Sequence, residues 1–241
     1  MRRHAGWGLF ELLISLVLSM LLFVALVEQL VHTKRHILQV NERMSQVVDM
    51  QWLTDMLRSR IRAAGFTPCL RSDHLHSVDT RQSPESTRWY EWQAAPLPQL
   101  TLRRMAEGVR PVTQVISARE IVINGASVSR KRPIMIADCW HAEVHSQAEV
   151  NAAPDGVHVV LNEPLKFNYM PPIYYAEWLS ESFFIRKQAL FYRHRRVDKL
   201  SARVVDLNVE VISSGGLIWL KCRLMLENAQ YWSILTRVRS R

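Results

Sequence analysis

The sequence predicts an α+β protein in which one long, partly transmembrane N-terminal helix packs on an antiparallel β-sheet. Three observations predict it. From Trp7 to Ala64 there is no proline and one glycine, Gly8, and the apolar residues keep helical spacing. Beyond Gly65 the chain turns to short apolar or alternating runs separated by turn residues. The 241 residues are 48% apolar, enough for the helix and one medium domain with a real core. There is no internal repeat and no low-complexity stretch.

The helix has two halves. A basic leader, Met1-Arg-Arg-His-Ala-Gly6, precedes Trp7-Gly-Leu-Phe-Glu11 and then an apolar run from Leu12 to Val27. Trp7 to Val27 approaches the roughly 20 residues that span a bilayer. No later segment is long and apolar enough to do so, so a single-pass protein is expected. Glu11 is out of place: an acidic side chain near the centre of a membrane helix costs roughly 2.5 to 3.5 kcal/mol, and less near its edge. A chain that keeps one there is expected to give it a partner. Past the membrane the pattern is amphipathic. Val40, Met44, Val47 and Val48, then Leu53, Met56, Leu57 and Ile61, form the apolar face that should pack on the domain, with Lys34, Arg35, Glu42, Arg43, Asp49, Asp55, Arg58 and Arg60 solvated. About 55 residues at 1.5 Å rise would reach about 80 Å. Gly65 before Phe66-Thr67-Pro68 is a stop signal. The expected divisions are 1–6, 7–28, 29–64 and a head domain 65–241.

Residues 70–98, with Pro84, Pro96, Pro98 and an aromatic knot Trp89-Tyr-Glu-Trp92, read as a long loop with short elements. Strand candidates follow: Ile121–Ile123 before Asn124-Gly125, Ile134–Ile136 and Val157–Leu161. Phe183–Ile185 and Ala189–Tyr192 have hairpin spacing around Lys187-Gln188. Val205–Val211 alternates apolar and polar, Gly215-Gly216 turns it into a strand at Leu217, and Tyr231–Val238 is the last.

Three cysteines allow three pairings. Cys222 lies in a row with Ile218, Leu220, Leu224 and Leu226 on one face of a strand, the place of a small buried hydrophobe. Cys69 and Cys139 both sit beside turn chemistry, after Thr67-Pro68 and Ala137-Asp138, and are the expected bridge in an oxidising compartment. Closing a loop of that length stabilises by roughly 4 kcal/mol. His74 and His76 near Cys69, and His141 and His145 near Cys139, allow a zinc site to be drawn. Bridged cysteines and exposed histidines are expected instead, so no metal and no cofactor. No Gly-x-Ser-x-Gly, His-Glu-x-x-His or phosphate-cradling glycine loop occurs, which argues against an enzyme.

The net charge of +9 would fall to +7 on loss of Arg2 and Arg3, whose position favours an inside N-terminus and an outside head. Two basic runs stand out: Arg130-Lys131-Arg132, and Arg193-His-Arg195-Arg196 with Lys199. They read first as solvated loops, and second as contacts for DNA, anionic lipid or an acidic partner.

Gly6, an aromatic Trp7 and Glu11 five residues into the segment after the glycine resemble the class III signal of type IV pilins. That resemblance implies cleavage by a prepilin peptidase at Gly6–Trp7, methylation of the new amine, and pairing of Glu11 with the amine of a neighbouring subunit. The head resembles PilW-type minor pilins. Arg62-Ala-Ala-Gly-Phe-Thr-Pro-Cys69 is similar to their helix-end motif, Ala137-Asp138-Cys139 to their Asp-Cys pair, and Ala189–Arg193 with Val204–Val209 and Leu235–Arg241 to their later strands. A pilin-like fold is implied. So is a structural role, a single-pass inner-membrane protein with a periplasmic head that joins other minor pilins and the major pilin, at the pilus tip, to prime polymerisation. Helix knobs such as Leu13, Leu16, Met20 and Phe23 would contact neighbouring helices. A minor pseudopilin of a type II secretion system shares the signal, and a membrane-anchored binding module using the basic loops is the reading from a different class. An uncleaved signal anchor and a cleaved secretory signal are alternatives at the N-terminus, the latter lacking a small-x-small site after the core.

Overall fold

The apolar periodicity from Trp7 onward becomes one α-helix, α1 (Trp7–Ala63). The computed structural model describes residues 7–125, 132–215 and 217–238. The chain divides into two compact units, Met1–Trp52 and Leu53–Arg241. The described residues of the first are helix alone, and their apolar side chains are exposed in the single chain, from Phe10 and Leu12 to Val47 and Val48. The second holds the last turns of α1 and all the strands. This corrects the expectation for the amphipathic half. Val40, Met44, Val47 and Val48 are exposed, whereas Leu53, Leu57 and Ile61, spaced four apart, are fully buried. Burying each contributes about 1.5 to 3 kcal/mol.

The helix ends where the stop signal stands. Gly65 has φ +74°, and an added Cβ there would lie 2.6 Å from Arg71 Cγ, so only glycine fits. Its amide donates to the Arg103 carbonyl at 2.8 Å, which seats the helix end on the sheet.

Fifteen strands follow among the described residues: β1 (His76–Asp79), β2 (Tyr90–Gln93), β3 (Gln99–Met105), β4 (Arg110–Ser117), β5 (Glu120–Ile123), β6 (Ile134–Ala137), β7 (His141–His145), β8 (Gln147–Ala153), β9 (Gly156–Leu161), β10 (Tyr174–Arg186), β11 (Ala189–Arg193), β12 (Val197–Ser201), β13 (Val204–Ser214), β14 (Leu217–Leu226) and β15 (Tyr231–Arg237). Twelve form one large sheet, and β13-β14-β15 a second. The class is α+β. Of the strand pairs, β1 with β7 is parallel and the others are antiparallel.

The spine is β10, thirteen residues long and far longer than the expected Phe183–Ile185. Its first residues pair with β6 and β4, its later ones with β3 and β11. Two clusters of buried side chains result. One gathers Ile121, Ile123, Ile134, Ile136, Val159 and Tyr175, the other Met105, Met135, Val144 and Trp178. The hairpin around Lys187-Gln188 forms as expected, with both residues at positive φ (50° and 53°), the turn whose twist suits paired strands. Strands β3, β4, β7, β8 and β12 have no counterpart among the expected strands, and β1 and β2 fall within residues 70–98, expected as a loop with short elements. Charged residues mask β3 and β7, both buried almost throughout, and β8 is a largely exposed edge rich in alanine.

Candidate functional site

Three groups of side chains carry the sequence expectations. The first is the N-terminal segment. Gly6 lies outside the described residues; Trp7 opens α1, and its side chain also lies outside them. Glu11 is exposed on the helix and is the one ionisable residue between Trp7 and Val27. The two serines in that stretch turn inward: Ser15 donates to the Leu12 carbonyl and Ser19 to that of Leu16, each at 2.9 Å. This leaves Glu11 as the group that is costly to place in an apolar environment. The helix is long and apolar enough to cross a membrane. Leu13, Leu16, Met20 and Phe23 are exposed to similar degrees, so the single chain does not single out one face.

The second group is the disulfide corner. Cys69 and Cys139 are bridged, with Cα atoms 5.1 Å apart, and Cys222 is free and fully buried between Leu220 and Leu224 on β14. Burial pushes the Cys222 thiol up to about 12, so it stays protonated and inert. Beside the bridge, Asp138 Oδ1 accepts the amides of Trp140 (2.7 Å) and His141 (2.6 Å), and its Oδ2 that of Met170 (3.0 Å). Burial works against its charge, but these amides prevail and hold the carboxyl below the ordinary range.

Five residues on, in β7, Glu143 repeats the device. Its Oε1 accepts the amides of Lys166 and Phe167, both at 2.8 Å, and its Oε2 lies 2.9 Å from His145 Nε2. Burial again opposes ionisation, and the His145 bond with the two amides lowers the pKa nonetheless. His145 Nδ1 lies 2.9 Å from the Thr80 hydroxyl, which donates to the Val144 carbonyl. A hydroxyl–imidazole–carboxylate row has the order of an acyl-transfer triad. Here the hydroxyl is buried and spent on a carbonyl, and the carboxylate is spent on two amides. The row pins residues 162–173 against β6 and β7, helped by the stacking of His141 on Phe167 at 4.7 Å. The expectation of exposed histidines is corrected in part: His74 and His76 are exposed, His141 is half-buried and His145 fully buried. Among the described residues no group of three or more His, Cys, Asp or Glu could hold a metal ion.

The third group is the basic loops. Arg130 and Lys131 lie outside the described residues. The fold brings Arg132 and Arg195 together on one carboxylate: Glu177 Oε2 is 2.8 Å from Arg132 Nη1 and 3.6 Å from Arg195 Nη2. Arg193 stacks over Phe184 (4.9 Å), Arg196 meets Asp198 at 3.0 Å, and Lys199 is exposed. These are exposed or half-exposed pairs, each worth less than about 1 kcal/mol.

Sequence reasoning missed a buried charge cluster. Glu181 on β10, 2% exposed, faces Arg60 at 3.5 Å, Arg104 at 3.6 Å and His194 at 3.8 Å. Burial, with Glu181 opposing and Arg195 and Arg60 adding to it, lowers the His194 pKa, so the imidazole is neutral near pH 7. Burial and Glu181 push the Tyr192 hydroxyl up to about 12. Arg103-Arg104 inside Leu100–Met105 was the available signal, since paired arginines in an apolar run need anionic partners. No protein-family model matches the chain, and no curated protein matches it.

Proposed function

We propose that this chain is a minor pilin of a type IV pilus, a subunit that helps prime assembly in a tip complex with other minor pilins and the major pilin. The observation that carries the reading is Glu11, the lone carboxylate of an otherwise apolar, spanning-length helix that begins at Trp7. Cleavage at Gly6–Trp7 by a prepilin peptidase would place an amine at the first residue of that helix. Glu11 then stands about 6 Å further along the axis, so a bond from Glu11 to a neighbour's amine sets the axial stagger between subunits. It also offsets the cost of burying either charge alone. The disulfide supports a head in an oxidising compartment, outside the inner membrane.

The direct test is intact mass and N-terminal sequencing of the protein from cells with and without an active prepilin peptidase. Loss of Met1 to Gly6 and methylation of Trp7, only with the enzyme, supports the reading; an intact N-terminus in both refutes it. A minor pseudopilin of a type II secretion system would be processed identically, and is separated by whether deletion abolishes pili or secretion. One observation favours a second reading, a membrane-anchored module that binds DNA or an anionic surface: Arg132 and Arg195, from distant basic runs, share one acidic partner. Reversing Arg195 and Arg196 to glutamate should then abolish DNA retention with pili intact.

A further inference from the structure

A cavity of about 580 Å³ opens beside β2, lined on that side by Ser86, Arg88, Trp89, Tyr90, Glu91 and Trp92. Among the described residues strand β2 pairs with β3 alone. Arg103 donates to the Trp89 carbonyl, and Glu91 and Gln93 stand opposite Thr101 and Gln99. In an antiparallel ladder the residues between these turn their main-chain groups the other way. The N–H and C=O of Tyr90 and Trp92 therefore point outward along the edge that the cavity follows. Tyr90 and Trp92, half-buried and on one face of β2, line it together with Val211 and Ile218 from the hairpin end of β13 and β14; Trp89 and Glu91 line it from the other face of the strand.

The charges of the cavity are balanced and one of them is fixed. Arg88 and Glu91 both line it. Glu91 is 55% exposed yet held by Arg103 at 2.7 Å, and that guanidinium is itself buried, with two further nitrogens, Nε and Nη1, that have no hydrogen-bond partner among the described residues. A buried arginine that spends itself on a solvent-facing carboxylate gives that carboxylate a set orientation, as binding sites require and solvated surface charges do not.

The lining selects the ligand. One cation and one anion cancel, which disfavours nucleotides and other polyanions. The outward main-chain groups and the two charged side chains disfavour a plain hydrocarbon. Aromatic faces beside an aliphatic wall, with an acceptor, a donor and main-chain groups of both kinds at the rim, suit a ring with apolar C–H faces and many hydroxyls, each a donor and an acceptor. We propose that this cavity is a carbohydrate site that takes a neutral mono- or disaccharide, with the sugar ring against Trp92 and Tyr90 and its hydroxyls on Arg88, on the outward main-chain groups and, across the strand edge, on Glu91. The volume lies within the range of small-molecule pockets, roughly 300 to 1,000 Å³. The inference does not rest on the pilus reading.

The test uses the full chain in detergent, with maltose, cellobiose and N,N′-diacetylchitobiose as separate probes, read by saturation-transfer NMR and by titration. At least one is expected to bind saturably with a Kd of about 1 mM. Trp92→Ala and Glu91→Gln should each weaken it by about tenfold, whereas Trp140→Ala, at an exposed tryptophan outside the cavity, should leave it unchanged. Trp92→Leu serves if the alanine variant loses its far-ultraviolet spectrum. Three results would overturn the proposal: no saturable binding of any probe up to about 20 mM, binding indifferent to Trp92 and Glu91, or an extended peptide that shifts the Tyr90 and Trp92 amides where the sugars do not. The last would make β2 a strand-adding edge instead.

Discussion

Replacing Glu143 by alanine should cost about 3 to 5 kcal/mol, a large share of the 5 to 15 kcal/mol by which domains are stable. The structure sets that figure. Glu143 is fully buried and accepts from two amides at 2.8 Å while facing a fully buried imidazole at 2.9 Å. Alanine strands His145 without water to replace its partner, at about 1 to 3 kcal/mol, and frees the Lys166 and Phe167 amides at about 1 kcal/mol each. Glu143→Gln keeps the acceptor for the two amides and should cost about 1 to 2 kcal/mol. The assay is urea unfolding of the full chain in detergent, with hydrogen exchange at Lys166 and Phe167 as the local readout. The pH dependence has a definite sign. The native pKa values of Glu143 and Asp138 lie below the ordinary 4.5 and 3.8. Each therefore adds stability above its unfolded value and loses it as pH falls through the native one, so the wild-type protein weakens below about pH 4.5 and Glu143→Ala weakens less steeply. A loss under about 1 kcal/mol in the alanine variant, or unchanged exchange at residues 166 and 167, would refute the claim that this carboxylate pins the 162–173 segment.

Gly65→Ala should destabilise by about 2 kcal/mol or more in the same unfolding assay, since φ is +74° and the new methyl meets Arg71 at 2.6 Å. Lys187→Asn with Gln188→Gly should stabilise by about 1 kcal/mol, because both positions hold positive φ without the residues that prefer it. Cys222 should resist maleimide in the native chain and take up one equivalent only on unfolding, as expected of a fully buried thiol with a pKa of about 12. Serine at both Cys69 and Cys139 should cost about 4 kcal/mol, from closure of a loop with a separation of 70 residues.

Local chemistry made the helix and its limits readable. An unbroken helical period from Trp7, a stop at Gly65, the hairpin at Lys187-Gln188 and the alternation that buries Cys222 all depend on residues within a few positions of one another. The same holds for Glu11, whose oddity is visible against its immediate neighbours. The bridge between Cys69 and Cys139 was legible because turn residues flank both.

What resisted reading was long-range. Strands β3 and β7 carry Arg103, Arg104, Glu143 and His145, which in isolation argue for a surface. Their burial becomes affordable only through Glu91, Glu181, Thr80 and the amides of residues 166 and 167, all contributed from elsewhere in the chain. The convergence of Arg132 with Arg195 on Glu177, and the cavity between the β2 edge and the second sheet, have the same origin. A sequence by itself determines where the backbone must be helical, extended or turned, because sterics and periodicity act locally. Which charges pair, and which edges and faces meet to make a site, is decided by the tertiary structure, since a buried charge is stable only once its distant partner has arrived.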